Sequence, residues 1–322
     1  MDPIILPRIS DKKPLVSVVS ITYNHEPYIR DCLEGFLMQK TNFPVEIIIH
    51  DDASTDHTAD IIREYYEKRP DLFHVILERE NQYSQGKIIG ISLYEQAQGK
   101  YFAVCEGDDY WTDPLKLQKQ FDFMESHPDC SLCFHNAFRF YQDTAKKVLF
   151  NSDLENRYYS KEELASKWII PTASLFLKAA ITNDYIRIRK DNEGILVAGD
   201  IILYLSAAQK GDVYGMSDIM SVYRLQKSGA NSFNYRTPLF FKHFKRVQEI
   251  FDLKSPEYKR VLSNAAYSVC LSQLKEREIV SFLKYFLLSI YYKPGQLIRF
   301  CKEISVFVFN HFFSSKRNTI QQ

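Results

Sequence analysis

From Leu15 to about Cys105 the chain alternates between two hydrophobic periods. Leu15-Val16-Ser17-Val18-Val19 is a short β-branched run that predicts a strand. Pro27 to Gln39 follows with Ile29, Cys32, Leu33, Phe36 and Leu37 at three- and four-residue spacing, which predicts an amphipathic helix. The cycle returns with Val45 to Ile49 as a strand and Thr58 to Lys68 as a helix, its Ile61, Ile62, Tyr65 and Tyr66 turned inward. Phe73 to Leu77, Ile88 to Gln98 and Tyr101 to Cys105 then read as strand, helix and strand. Strands alternating with helices over short connections predict a mostly parallel sheet with helices on both faces.

Past Asp109 the rhythm changes. Pro114 suits the first turn of a helix running to about Ser126, where its missing N–H is not needed. Ser131 to Tyr141 reads as a strand, and Gln142 to Arg157 as a polar loop with a short strand. Ala198 to Gln209 reads as a helix ended by Gly211, with Val213 to Met216 and Met220 to Tyr223 as short strands. From about Pro238 the pattern is purely helical, broken at Pro256 and at Pro294-Gly295. The expected organisation is an α/β domain over residues 1–236 and a helical region over 237–322, with no internal repeat.

Composition narrows the class. The 322 residues are 45% hydrophobic and 25% charged, which excludes a disordered or low-complexity chain. Forty-one basic against forty acidic residues leave a net charge of +1, so no electrostatic case for a nucleic-acid partner arises. The 21 Tyr and 23 Phe point to ring-lined pockets and an adhesive surface. Met1 to Arg8 carries no basic segment followed by an apolar stretch of signal length, so a cytoplasmic location is expected. The six cysteines fall in periodic hydrophobic segments, where a free thiol packs as a small apolar group, and Cys130-Ser131-Leu132-Cys133 has no second pair with which to hold a metal.

In parallel α/β sheets ligands bind beyond the carboxyl ends of the strands. The loops there hold Thr22-Tyr23-Asn24-His25, Asp51-Asp52-Ala53-Ser54-Thr55-Asp56 and Glu106-Gly107-Asp108-Asp109-Tyr110-Trp111. Asp51, Asp52, Asp108 and Asp109, with Glu106 beside them, would repel one another unless a positive group sits between them. A Mn²⁺ or Mg²⁺ ion completed by substrate phosphates answers that need. Helix capping accounts for Ser54, Thr55 and Asp56, but not for the pair before them.

These three motifs, with Gly99-Lys100-Tyr101 leading into the third, resemble the family 2 glycosyltransferases of the GT-A fold. The resemblance is good over residues 14–140, looser to about 235 and absent beyond. It implies a Rossmann-like, mostly parallel sheet flanked by helices, with 14–140 binding a nucleotide sugar and 141–236 the acceptor. It also implies an inverting, metal-dependent enzyme that uses a nucleoside diphosphate sugar as donor.

Residue by residue, the resemblance places Tyr23 against the nucleotide base, where ring stacking is worth about 1 to 3 kcal/mol in other proteins. It gives Asp52 the hydrogen bond from a base N–H, which favours UDP. Glu106 stands where the family has the first Asp of Asp-x-Asp, near the ribose, and Asp108 and Asp109 stand as cation ligands. The family's catalytic base lies in a Glu-Asp pair opening a helix; here Gly199-Asp200 occupies the place, and Asp200 is either that base or a helix cap. Lys87, beside Asn81, and Arg224, before the Gly229-Ala230-Asn231-Ser232 loop, are candidates for the diphosphate. His135-Asn136 and Pro171 to Ser174 are weaker candidates for the acceptor pocket, and Trp111 either borders the sugar or is buried in the turn.

The expected function is transfer of a monosaccharide to a hydroxyl of a glycan or lipid-linked acceptor. A nucleotidyltransferase and a non-catalytic sugar-nucleotide scaffold are the alternatives; the first lacks a Gly-rich phosphate loop, and intact Asp108, Asp109 and Asp200 weigh against the second. The helical region holds two aromatic-rich segments, Ile279 to Tyr292 and Gln296 to Phe313, beside Lys284, Lys293, Arg299 and Lys302. Neither reaches the roughly 18 uninterrupted apolar residues of a spanning helix. Residues 279–313 therefore either lie on the inner face of the cell membrane or form a bundle, packed on the catalytic domain or pairing two copies as a homo-oligomer.

Overall fold

The computed structural model describes residues 2–226, 237–276, 278–295 and 297–298. They fall in two compact units, one within Met1–Ser232 and one within Phe233–Gln322.

The first unit opens with β1 (Ile4–Leu6), β2 (Val16–Thr22), α1 (Ile29–Leu37), β3 (Val45–Asp51), α2 (Thr58–Lys68), β4 (Phe73–Leu77), α3 (Ile91–Gln96) and β5 (Tyr101–Val104). It continues with β6 (Tyr110–Trp111), α4 (Lys116–Ser126), β7 (Cys130–Tyr141), β8 (Lys146–Leu149), β9 (Arg157–Tyr158), α5 (Lys161–Ser166), β10 (Phe176–Lys178), α6 (Ile181–Asp191), α7 (Gly199–Ala208) and β11 (Asp212–Leu225). Along the sheet the order is β1-β4-β3-β2-β5-β10-β7-β11-β6, with β8 on β7 and β9 on β11.

The segment β4-β3-β2-β5 is parallel, as the alternating pattern predicts. The other half is mixed: β10 runs antiparallel between β5 and β7, β11 is parallel to β7, and β6 is antiparallel to β11. The expectation of a mostly parallel sheet thus holds for the half built from strand–helix repeats. Beyond Asp109 the sheet is mixed, because the short strands β10 and β6 add antiparallel beside the parallel pair β7 and β11.

Both faces of the parallel half are covered, and this is why its strands are nearly continuous hydrophobic runs. Val16, Val18, Ile47, Ile49, Val75 and Ala103 meet Ile29, Leu33 and Phe36 of α1 and Ile62 of α2 in one core. Val19, Ile48, Ile76 and Phe102 point to the opposite face and are equally buried. Each such aliphatic side chain contributes about 1.5 to 3 kcal/mol. The pattern therefore fixes which way every strand faces, and with it which residues emerge at the carboxyl ends.

The five cysteines among the described residues, Cys32, Cys105, Cys130, Cys133 and Cys270, are buried free thiols. The second unit contains α8 (Pro238–Phe251), α9 (Pro256–Lys275) and α10 (Ile279–Tyr292). Pro238 and Pro256 each sit in a first turn, and Ser255 caps α9 by accepting the Tyr258 N–H at 3.0 Å. Pro256 therefore starts a helix as well as ending the preceding segment. Tyr285 of α10 meets Phe241 of α8 edge-on, and the Ser263 hydroxyl of α9 donates to the Ser289 carbonyl at 2.8 Å. No described helix is long and apolar enough to cross a membrane.

Candidate active site

The loops after β2 and β3 are tied together before any ligand arrives. Asn24 and Ala53 both have left-handed backbone, at φ 53° and 60°, which in a residue other than glycine must be held by its surroundings. Asn24 Oδ1 accepts the Thr55 N–H at 2.7 Å, and the Asn24 N–H donates to Ser54 Oγ at 2.9 Å. Asp51 accepts the Ser54 N–H at 3.0 Å and also its hydroxyl. Burial raises the Asp51 carboxyl, and these two donors limit the rise without cancelling it.

Asp52 is also buried and bound. Its Oδ1 accepts the Gln82 N–H at 2.8 Å, its Oδ2 accepts the Tyr83 N–H at 3.1 Å, and its carbonyl accepts from Asn81 Nδ2 at 3.0 Å. The Asp51-Asp52 pair, which seemed from sequence to call for a cation, is thus provided for by hydrogen bonds from its own and the following loop. Lys87 is exposed and donates to Gln82 Oε1 at 2.6 Å on that same loop. Tyr23 stands 41% exposed at the end of β2, its ring open to a ligand.

Gly107 fixes the third loop. A Cβ there would lie 2.7 Å from Cβ and Oγ1 of Thr22, so only glycine lets Glu106, Asp108 and Asp109 close against the end of β2. The three carboxylates then diverge. Asp109 is 1% exposed; its Oδ1 accepts the Arg224 N–H at 2.8 Å, and its Oδ2 is sealed in with no partner. Burial, followed by the charge of Asp108, holds its carboxyl well above the usual range. Asp108 is less enclosed, with Oδ2 3.1 Å from the Gln226 amide nitrogen and 4.0 Å from His25 Nε2. Glu106 is exposed by area yet has protein mass all around it. Desolvation first, then the charges of Asp108 and Asp200, push it up to about 8, a rise that solvent contact tempers.

Arg224, expected at the diphosphate, is buried and engaged elsewhere. Nη1 donates to the Asp108 carbonyl at 2.8 Å, Nη2 pairs with Asp31 of α1, and the guanidinium lies between the rings of Tyr28 and Tyr110. It braces the acidic loop from behind. The Gly229 to Ser232 loop lies outside the described residues, as do most of Gln296 to Phe313 and Cys301.

Asp200 occupies the first turn of α7, with Oδ1 accepting the Ile201 N–H at 2.8 Å. Ala198, not Asp200, is the N-cap of α7, and no side chain caps that helix. Burial raises its carboxyl, and the Arg189 charge opposes that rise. Tyr223 of β11 is buried, and desolvation together with Glu106, Asp109, Asp200 and Asp108 keeps its hydroxyl protonated. The fold thus brings Glu106, Asp108 and Asp200 into one electrostatic neighbourhood although Asp200 is far along the chain.

The weaker candidates resolve into packing. Trp111 is buried, its Nε1 donating to the Ala173 carbonyl at 2.9 Å and its ring edge-on to Phe36. His135 is fully buried on β7, and Asn136 bonds the Asn151 backbone. Sequence reasoning missed Arg189 and Tyr185 because α6 went unassigned, although Ile181, Tyr185 and Ile188 at four- and three-residue spacing carry its signature.

Residues 17–183 match the family described as Glycosyl transferase family 2. The chain belongs to that family. A Mycobacterium tuberculosis relative, the uncharacterized protein Rv1520, is 39% identical over 219 residues, which is 66% of this chain and 60% of that one. The match with these mycobacterial relatives thus spans under two thirds of their length. The putative teichuronic acid biosynthesis glycosyltransferase TuaG of Bacillus subtilis is 33% identical over 221 residues, 68% of this chain and 82% of TuaG. Among solved structures, S. aureus TarS 1-349 in complex with UDP-GlcNAc superposes with a TM-score of 0.56 at 16% identity, covering 87% of this chain and 92% of TarS 1-349. That likeness establishes the GT-A type of fold for this chain: a large central sheet flanked by helices.

Proposed function

We propose that this family 2 glycosyltransferase moves a monosaccharide from a nucleoside diphosphate sugar, UDP-linked, to a hydroxyl of a glycan or lipid-linked acceptor during surface polysaccharide synthesis, with inversion. The observation that supports the reading is the placement of Glu106 and Asp108 after the carboxyl end of the parallel strand β5, with the charge of Asp200, on the distant helix α7, felt at Glu106. TarS with its UDP-GlcNAc and TuaG with its assigned role in teichuronic acid synthesis support the donor and the pathway class.

In this reading residues 14–140 hold the donor, 141–236 the acceptor, and 237–322 form a separate helical region. Tyr23 stacks on the base. Asp52, which keeps lone pairs beyond its two backbone partners, accepts the base N–H, and Glu106 faces the ribose. Lys87 is the cation nearest to hand for the diphosphate on the loop that Asp52 anchors.

The residues present fit a Mn²⁺ or Mg²⁺ ion of the kind that needs one or two carboxylates and takes its other ligands from phosphates and water. Asp108 would hold it, because Asp109 is enclosed by protein. Such an ion supplies positive charge against the leaving diphosphate. Asp200 takes the proton from the attacking acceptor hydroxyl, and no covalent enzyme intermediate is formed.

The test is incubation with a panel of labelled nucleotide sugars and Mn²⁺. Slow hydrolysis of one UDP-sugar, abolished by EDTA, is expected. Release of nucleoside monophosphate with pyrophosphate instead would identify a nucleotidyltransferase, and no turnover of any donor would identify a scaffold.

The helical region supplies the proposed route to a lipid-linked acceptor. One face of α10 packs inward through Tyr285 and Ser289, while Ile279 (70% exposed), Val280, Leu283, Leu287 and Tyr291 form an open apolar stripe with Lys284 beside it. An apolar stripe flanked by basic residues suits the boundary of an anionic bilayer, with the chain peripheral on the inner membrane face. The full chain is expected to float with vesicles of anionic lipid, and Leu283→Glu with Leu287→Glu to abolish flotation. A wild type that stays at the bottom of the gradient while forming dimers would assign the stripe to a second copy.

A further inference from the structure

Trp168 follows α5 and is 48% exposed, although its ring is held from several sides. It meets Phe150 edge-on with centroids 5.0 Å apart and Tyr223 edge-on at 5.6 Å. The Arg139 guanidinium lies over the same ring at 5.4 Å and over Phe150 at 4.6 Å. A single exposed apolar side chain is ordinary, but this one is pinned by three neighbours with half of its surface left bare.

Tyr223 links Trp168 to the acidic site. It precedes Arg224, whose N–H donates to Asp109 Oδ1 at 2.8 Å, and the charges of Glu106, Asp109, Asp200 and Asp108 reach the Tyr223 hydroxyl. A second tie comes from the other direction. Beyond Trp168 the chain enters the Thr172–Ser174 turn, where the Ala173 carbonyl accepts from Trp111 Nε1 at 2.9 Å, at the end of the acidic loop. Arg139 stands beside Tyr223 in the pairing of β7 with β11. Its guanidinium forms no hydrogen bond or ion pair among the described residues, and its Nε has no acceptor, although the residue as a whole is only half-buried.

This pair selects a class of ligand. A half-bare indole favours a flat apolar surface of about its own size, and the guanidinium beside it calls for oxygen acceptors. An alkyl chain would cover the ring but leave those donors unanswered. A pyranose supplies both, with axial C–H groups on one face and hydroxyls around its rim. We propose that Trp168 and Arg139 form a subsite for the terminal sugar ring of the acceptor, so that the hydroxyl presented to Asp200 belongs to a glycosyl unit. The inference rests on the sugar-transfer reading, in which Tyr23 serves the nucleotide base, and it narrows the acceptor to a carbohydrate end.

Trp168 reports on its own occupancy. The chain has two tryptophans and Trp111 is enclosed, so iodide quenching of tryptophan fluorescence in the full chain reads the exposed ring. With UDP and Mg²⁺ present, at least one of the methyl β-glycosides of glucose, galactose, N-acetylglucosamine and glucuronic acid is expected to shield it saturably. Saturation-transfer NMR on that glycoside should show its closest contacts at the ring C–H protons. Trp168→Ala should weaken binding about tenfold, the scale of one lost ring contact, while Trp168→Tyr keeps most of it. Arg139→Gln should cost about tenfold as well, for the loss of charged donors. Melting curves report that each variant is folded. Iodide access left unchanged by every glycoside would overturn the subsite, and that result needs no variant. Equal saturation transfer in wild type and Trp168→Ala would overturn it too, as would shielding that follows protein concentration without saccharide, which assigns the ring to a second copy. None of these readouts requires turnover, so the sugar-transfer reading fails separately, when no donor is turned over.

Discussion

Asp200→Asn is expected to remove sugar transfer while leaving UDP affinity at the wild-type level. A positioned general base contributes about 10² to 10⁴ in rate, so the loss should be at least of that order. The geometry gives the variant a clean meaning. The Asp200 Oδ1 accepts only its neighbour's N–H, a bond that an asparagine oxygen can keep, so α7 retains its first turn. Asp200 shares no hydrogen bond with Asp52 or with the Gln82-Tyr83 backbone that Asp52 holds, so a bound nucleotide should not sense the change.

The carboxyl is also suited to the task. Burial raises it from the ordinary aspartate range, with the Ile201 N–H and then the Arg189 charge opposing the rise, which makes it a stronger base than an exposed aspartate. Transfer assays beside UDP calorimetry make the check. Full transfer by Asp200→Asn would move the base elsewhere, and lost UDP binding would make Asp200 a structural residue.

What the sequence disclosed follows from burial. β2, β3, β4 and β5 have both faces covered, so their apolar runs are long and regular, and the residues that emerge at their ends could be read directly. β10 has three residues and β6 two, too few for either period to register. Their strand character comes from the partners on either side. β11 was read as two pieces because its pairing with β7 shifts register between Met216 and Ile219, which interrupts the alternation within one strand.

The site was legible in its members more than in their division of labour. Glu106, Asp108 and Asp109 are adjacent in sequence, and only the fold shows that one is enclosed while another remains more open. Asp51 and Asp52 looked alike as an unsatisfied pair. One is answered by Ser54 three residues on, which a local motif could have shown, and the other by the backbone of Gln82 and Tyr83, which no local motif could. Arg224 and Arg189 likewise differ in ways the sequence does not show. The arginine near a strand end braces the loop through Asp31, and the one on an unassigned helix faces Gly199 without a partner.

That division of labour predicts unequal consequences for two neighbouring carboxylates. Asp108→Asn should lower kcat by at least about 100-fold, the usual scale of about 3 kcal/mol for removing one contact to transition-state charge. It should also weaken the response to Mn²⁺, since the amide oxygen is a poor substitute for a carboxylate at a hard cation. Asp109→Asn should leave far more activity. The Asp109 Oδ1 serves the Arg224 N–H, which an asparagine oxygen accepts equally well, and its Oδ2 lies where no cation reaches without rearrangement of the loop. Steady-state rates across a Mn²⁺ titration decide the matter. If Asp109→Asn loses as much as Asp108→Asn and both lose their metal response, the loop opens on donor binding and the two carboxylates share the ion; if neither variant responds differently from wild type, the cation is bound elsewhere.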